Sequence, residues 1–330
     1  MHVVTIDTGT TNTRVFAWKD RNVIAQSGRP VGVRDTAITK STEKLAAGVK
    51  EAIDEVLQKA QISSTKDVLF LASGMITSNV GLCEIPHLVA PVGIHDFANG
   101  LQKHLLQDVV DQPIWFVPGV KNHQNEVTPE NCETMDIMRG EEAEAIGIMY
   151  ALDLKGPMIV ILPGSHSKFV KIDEEQRIEG CMTTISGELL DVITKNTILA
   201  SSLDHGFAGE VDESALLQGA KESAEVGLAR CCFSVRILEQ FKGMTREALR
   251  SFLLGAVLQN DIFALKTSKA LNTQNDNKVV IGGKATLKKA FDILLRNDPF
   301  FKGEILLAPE LDVPLSGVGI IEIARTARAF

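Results

Sequence analysis

The chain has 330 residues and a mass of 35.8 kDa, is 45% hydrophobic and 23% charged, and has a mean hydropathy of +0.08. These values exclude an intrinsically disordered chain, and the length predicts two domains sharing a cleft rather than one core. Thirty-four Lys and Arg against 42 Asp and Glu leave a net charge of −8, and no basic run interleaved with aromatics is present, so nucleic acid is not an expected partner.

Residues 3–6 form a short β-branched apolar run, DTGTTNTR follows, and residues 15–18 are apolar again, which predicts strand, turn, strand. Asp20-Arg21-Asn22 supplies a second turn before VIAQSG, a third antiparallel strand. Leu45, Val49, Ile53 and Val56 give a helical period over 42–60. The apolar runs at 67–72 and 114–119 predict buried strands, the first running straight into Ser73-Gly74-Met75-Ile76. Residues 141–150 predict a helix that LDLKGP breaks, and the Gly156-Pro157 pair places a domain boundary near Asp153.

The second half opens with a buried strand at 158–162, then PGSHSKFVKID as turn and strand, then EEQRIEG as the next reversal. Laying Gly164 over Gly9 superposes LPGSHSKFVKID on DTGTTNTRVFAW, a faint internal repeat. Helical periods follow over 187–193, 214–228, 229–241 and 245–265, with strands at 278–281 and 304–307, a helical run through Leu287 and Phe291, and a final helix over 318–329. Cys83, Cys132, Cys181, Cys231 and Cys232 have neither C-x-x-C nor zinc-type spacing, which fits free thiols in a reducing compartment. The N-terminus has no basic region before an apolar core, and no run approaches the ~18–20 apolar residues of a membrane span. A cytoplasmic protein is expected, with no membrane partner.

The strongest chemical signal is Asp7-Thr8-Gly9-Thr10-Thr11-Asn12-Thr13-Arg14, which suits a nucleotide phosphate tail. Gly9 lets the backbone approach closely, Thr10 and Thr11 donate to phosphate oxygens, Asn12 orients a substrate group and Arg14 adds positive charge. Asp7 cannot face phosphate without a cation, so its expected task is to hold Mg²⁺, largely through water. The alternative is a plain polar hairpin turn. Pro163-Gly164-Ser165-His166-Ser167-Lys168 occupies the matching turn of the second half, where Gly164, Ser165 and Lys168 could clamp the phosphates from the other side. A nucleophilic serine paired with His166 is disfavoured, because the run is not G-x-S-x-G.

In DIMRGEE, Asp136, Glu141 or Glu142 can supply a general base for an attacking alcohol, and Arg139 can bind an anionic substrate; paired acids in a first helical turn also have a purely structural use. Gly282-Gly283 after the strand at 278–281 resembles a surface for adenine or ribose. Ser316-Gly317-Val318-Gly319 is not a dinucleotide fingerprint, since no buried strand precedes it, and no P-loop or H-E-x-x-H pair occurs.

DTGTTNTR, PGSHSKFV and VVIGGKATL, in this order, resemble the superfamily of sugar kinases, actin and heat-shock chaperones. ASGMI, PGV, DIMRGEE, LPGSHSKFV, TISGEL and CFSVRIL are similar to the signature blocks of the 2-dehydro-3-deoxygalactonokinase family, a resemblance that spans nearly the whole chain. It implies an α/β fold of two actin-like (ribonuclease H-like) domains with mixed sheets flanked by helices and a cleft between them. The expected domains are 1–152 and 153–330, the last helix packing back on the first domain. It further implies ATP and Mg²⁺ as cofactors, a sugar acid as substrate met by Arg139 and Ser73, and phosphorylation of 2-dehydro-3-deoxy-D-galactonate at O6. Glu141, in the Gly-acid pair that opens a helix, is the base carried over from related sugar kinases, with Asp136 and Glu142 as the other choices. Two alternatives stand beside this reading: a kinase for another sugar or sugar acid, and a nucleotide-driven switch like the actin and chaperone relatives.

Overall fold

The structure, a computed structural model, describes residues 1–329. The first half contains strands β1 (His2–Thr8), β2 (Thr13–Lys19) and β3 (Asn22–Arg29), helices α1 (Val33–Thr39) and α2 (Glu43–Lys59), strands β4 (Val68–Gly74) and β5 (Leu88–Val89), and helix α3 (Ile94–Gly100). Strands β6 (Gln102–His104), β7 (Ile114–Phe116), β8 (Val120–Lys121) and β9 (Ile137–Met138) lead to helix α4 (Glu141–Ala151). The second half contains β10 (Met158–Leu162), β11 (Ser167–Ile172), β12 (Ile178–Thr184), α5 (Ser186–Asn196), α6 (Glu213–Val226), α7 (Leu228–Ile237) and α8 (Arg246–Thr267). It closes with β13 (Lys278–Ile281), α9 (Ala285–Asn297), β14 (Ile305–Leu307) and α10 (Leu315–Thr326).

The strands form two mixed sheets, ordered β3-β2-β1-β4-β7-β6 and β12-β11-β10-β13-β14, and a small one, β5-β8-β9. In each large sheet a central strand pairs antiparallel with the next strand and parallel with one reached through helix: β1 with β2 and β4, β10 with β11 and β13. The faint sequence repeat is thus a repeat of topology, and the α/β class with mixed, helix-flanked sheets is the one expected.

Strand side chains alternate between faces, which decides what each face touches. Val4, Ile6, Val15 and Phe70 pack on Leu45, Val49, Ile53 and Val56 of α2. Val3, Trp18, Leu69 and Leu71 face the other way, onto α4 and α10, and beyond those helices lie Met158, Val160, Val170 and Val280 of the second sheet. Ile159, Ile161, Phe169 and Ile281 point outward into a core shared with α5 to α9. Both faces of the central strands are buried, which is why they read as unbroken apolar runs.

α4 and α10 touch backbone to backbone: a Cβ on Gly147 would lie 1.9 Å from the Leu315 carbonyl oxygen, and one on Gly319 would lie 1.9 Å from that of Ala143. Gly317 leaves room for the Trp18 indole, so the Ser316–Gly319 run serves helix packing. Arg21 of the first half also pairs with Glu322 of α10 at 3.2 Å. The outer edge of β12 is closed by first-half residues. Ile178 exchanges backbone hydrogen bonds with Val92 (2.9 and 2.8 Å), and the Asn122 side-chain amide bonds Cys181 in both directions (2.8 Å each).

Several elements were not visible in the sequence. The strands β5, β6, β8 and β9 are two or three residues long, too short to show a period. The helix expected over 229–241 starts at Leu228, after Gly227 at φ 81°, and passes into a π-helical turn at Leu238–Lys242. Among the described residues one helix, the 22-residue α8, has an 18-residue window of mean hydropathy 1.2, long and apolar enough for a membrane span by length and composition only, and 72% of that window is buried inside the fold. Its Phe252, Leu254, Val257 and Ile262 lie in the second-half core.

Gly147→Ala inserts a methyl group into a backbone contact that cannot open without separating the sheets. Urea unfolding is expected to show a loss of at least ~1–3 kcal/mol, the range of core overpacking; an unchanged midpoint would contradict this packing.

Candidate active site

The turn between β1 and β2 is closed by the Gly9 N–H donating to the Asn12 carbonyl at 2.8 Å. The Gly9 and Thr10 carbonyls accept the Val33 and Arg34 N–H groups of α1 at 3.2 and 2.9 Å. Among the described residues, the N–H groups of Thr10, Thr11 and Asn12 donate to no backbone carbonyl. Gly32 forms the floor, since a Cβ there would lie 2.5 Å from the Gly9 carbonyl oxygen. The Thr13 hydroxyl, 3.2 Å from that of Thr8, donates to the Val31 carbonyl at 2.9 Å and pins the base of the hairpin.

The turn between β10 and β11 is built the same way. The Ser165 carbonyl accepts the Glu188 N–H of α5 at 2.9 Å, and a Cβ on Gly187 would lie 2.1 Å from the Gly164 carbonyl oxygen. A helix start with a glycine therefore supports each hairpin from below.

Between them sits the start of α4. Gly140 has φ 110°, accessible to glycine at little cost, and a Cβ there would lie 3.2 Å from the Gly74 Cα. Gly74 in turn abuts the Thr8 carbonyl and Asp7 Oδ1. This crossing gathers four acids. Glu142 is fully buried, and both its oxygens accept the Gly140 N–H at 2.8 Å. Burial, then the Glu141 charge, pushes its carboxyl up to about 8. Glu144 is raised to about 7, by burial first and then by Asp7 and Glu141. Asp7 is also raised by burial, with Arg14 opposing and Glu141 adding to the effect. Glu141 is half-buried and accepts the Arg139 N–H at 3.1 Å.

Gly9 and Thr10, Gly164 and Ser165, and Asp136, Arg139, Glu141 and Lys168 line one cavity of about 910 Å³. Lys168 is buried, and its ammonium donates to the Ile137 carbonyl (2.8 Å) and the Thr183 hydroxyl (2.5 Å), leaving a third N–H. Asp136 accepts the Thr183 N–H (2.6 Å) and hydroxyl (2.8 Å) and the Ile137 N–H (2.7 Å), so it latches β12 to β9. Arg139 donates to the Thr77 hydroxyl (2.7 Å) and the Ile85 carbonyl (2.8 Å) and lies 3.3 Å from His87 Nδ1. Burial, Arg139 and Lys121 lower His87 to about 4, so the ring is neutral. Since Arg139 can only donate, the His87 proton is on Nε2.

The other expected site residues lie elsewhere. Asp7 is half-buried against Gly74, next to the cavity but not in its wall, while Thr11, Asn12 and Arg14 are exposed outside it. Ser73 is fully buried with an unpartnered hydroxyl and is not among the residues that line the cavity. Gly282 and Gly283 lie against Leu162 and Pro163, which are themselves in the cavity wall. Sequence reasoning missed Ser78, Asn79, His87, Glu144 and Thr183, which also line it. Glu144 alone carried a signal, standing one helical turn beyond Glu141.

Residues 7–299 match the family described as 2-keto-3-deoxy-galactonokinase. The chain belongs to this family. It is thereby a carbohydrate kinase, a phosphotransferase. It is 24% identical over 264 residues to the 2-dehydro-3-deoxygalactonokinase of Escherichia coli (strain K12), covering 80% of each chain. It is 25% identical over 262 residues, 78% of each chain, to a Rhizobium meliloti (strain 1021) protein named provisionally for the same activity. Among solved structures, one from Sinorhizobium meliloti, provisionally described as a 2-dehydro-3-deoxygalactonokinase, superposes with a TM-score of 0.74 at 24% identity, covering 98% of each chain. Component A of (R)-2-hydroxyglutaryl-CoA dehydratase from Acidaminococcus fermentans shares the fold at a TM-score of 0.50 and 16% identity, covering 99% of each chain.

Among the described residues no three His, Cys, Asp or Glu side chains stand close enough to hold a metal ion. Asp7 with Glu141 and Glu144 nearby fits a cation bound chiefly by water and phosphate oxygens, the usual manner of Mg²⁺.

Glu142 gives a pH test. Its folded-state value lies above the ordinary carboxylate value, so its contribution is fully present below about 4.5 and is lost as pH rises toward about 8. The loss is on the order of a few kcal/mol. Glu142→Gln is expected to flatten the fall in unfolding free energy between pH 5 and 8, read by urea titration; equal slopes in both proteins would contradict the burial of a neutral carboxyl.

Proposed function

We propose that the enzyme transfers the γ-phosphoryl group of ATP to the primary hydroxyl of a 2-keto-3-deoxy sugar acid, 2-dehydro-3-deoxy-D-galactonate at O6. The observation that carries this reading is the single cavity lined by both hairpins, a half-buried carboxylate at a helix start and two cations. The halves 1–152 and 153–330 act as two domains, and α10 packs back on the first, where it lies against α4, β1 and β4.

The free N–H groups of the first hairpin, the Gly164–Ser165 turn and the third N–H of Lys168 hold the phosphates. Gly282 and Gly283 flank the adenosine. Asp7, with Glu144 as a second acceptor, would hold Mg²⁺ through water, and the ion would offset phosphate charge. Arg139 meets the carboxylate of the sugar acid with the donors that Thr77 and Ile85 leave free. The substrate hydroxyl attacks phosphorus as the bond to the ADP oxygen breaks, and its proton passes to Glu141. Glu141 is favoured over Asp136, which already accepts three hydrogen bonds, and over Glu142, which is fully buried. Closing the cavity excludes water, the competing nucleophile. A cytoplasmic setting suits the free cysteines.

ADP release is to be followed with a panel of keto-deoxy sugar acids. Strong stimulation by one compound is expected, and unchanged basal hydrolysis with all of them would point to a nucleotide switch. Glu141→Gln should lower kcat at least ~100-fold, the usual scale of a lost general base, with both KM values nearly unchanged. Asp136→Asn should cost ~10-fold or less, a loss of positioning alone. A larger loss in Asp136→Asn than in Glu141→Gln would exchange their roles.

A further inference from the structure

One side chain of the second hairpin has no part in the mechanism above. His166 stands between Ser165 and Ser167, lines the same cavity as Gly164, Ser165 and Lys168, and has a side chain 45% exposed. Its Nε2 lies 3.0 Å from Glu188 Oε2. Glu188 also donates its backbone N–H to the Ser165 carbonyl, so one residue of α5 braces both the hairpin and the imidazole it carries. The neighbouring Ser167 hydroxyl turns away from the ring and lies 3.0 Å from that of Ser186.

The Glu188 contact decides what the ring offers a ligand. A carboxylate only accepts, so Nε2 carries a proton. In a neutral ring Nδ1 is then an acceptor and repels a phosphate oxygen, whereas in the imidazolium it is a donor. The other neutral tautomer sets the Nε2 lone pair against the carboxylate. The form that satisfies Glu188 and a phosphate oxygen together is therefore the doubly protonated one.

The cavity is short of positive charge. Its wall carries four acids, Glu84, Asp136, Glu141 and Glu144, against two permanent cations, Arg139 and Lys168. His87, the other histidine of the wall, is held neutral beside Arg139. The next acid of α5, Asp191, is paired with Lys195 at 2.5 Å. His166 is thus the wall group through which the site can gain a charge by taking a proton. An exposed pair such as His166–Glu188 adds little to stability, so the fold does not account for it.

We propose that His166 is a nucleotide-contacting residue, held by Glu188, that donates to a phosphate oxygen as the imidazolium, so that ATP binding draws a proton from solvent onto Nδ1. This rests on reading the Gly164–Ser165 turn as a phosphate loop.

Calorimetric titration with Mg²⁺ and a non-hydrolysable ATP analogue, repeated in buffers of different ionisation enthalpy, reads affinity and proton uptake together. The parent protein should take up more protons at pH 7 than His166→Gln, a comparison that cancels the titration of the nucleotide itself. At pH 6.5 His166→Gln should bind about 5- to 50-fold more weakly, the scale of a lost charge-assisted hydrogen bond, and it should lose much of the parent's gain in affinity between pH 8 and pH 6. His166→Arg, charged at every pH, should bind within about 3-fold of the parent with the extra proton uptake gone. The KM for the sugar acid should stay within about 2-fold, and the melting temperatures within about 2 °C, as expected for an exposed pair. Equal affinity or equal proton uptake in the parent and His166→Gln would overturn the proposal. So would an equal loss of affinity in the Gln and Arg variants with a lowered melting temperature, the mark of a structural tether. Absence of analogue binding by the parent protein would overturn the phosphate-loop reading as well, which separates the two failures.

Discussion

Gly147 and Gly319 let α4 and α10 meet without intervening side chains, and this thin helical layer sets how closely the two large sheets approach. Each sheet sends its central strand, β1 or β10, into a hairpin beside that layer, and α4 begins between the hairpins. Thicker packing between the helices would move the hairpins apart and widen the cavity they share. The closed outer edge of β12 adds a second tie between the halves, since Val92, Asn122 and Asp136 take backbone groups that an edge strand would otherwise leave open.

The same layer forces acids together. Asp7, Glu141, Glu142 and Glu144 converge where the backbone crosses at Gly74 and Gly140, and burial raises Asp7, Glu142 and Glu144. Mutual repulsion weakens the fold there, and a charged partner in the cavity would relieve it. Perturbed carboxylates gathered beside a cavity are a mark of functional sites, although structural networks also produce them. Here the division is physical: Glu142 is sealed beneath Gly140, whereas Glu141 and Glu144 open on the cavity.

Much of the fold was legible because both sheet faces are buried. Residues 3–6, 67–72 and 158–162 read as apolar runs, and the matching turns DTGTTNTR and PGSHSK revealed the doubled topology. The cavity wall was legible where a backbone motif forms it, as at Gly9 and Gly164. It was not legible where side chains converge through tertiary packing. Nothing local distinguishes Asp136 as a latch, Ser73 as a buried strand residue, or His87 as a neighbour of Arg139.

The proposed function requires two opposed hairpins to grip one triphosphate. Hydrogen exchange with and without Mg²⁺ and a non-hydrolysable ATP analogue tests it most directly. The account predicts slowed exchange at the amides of Thr10 to Asn12 and of Ser165 and His166 together, over the same range of ligand concentration. Protection of one hairpin alone, or of neither while the analogue is bound, would contradict it.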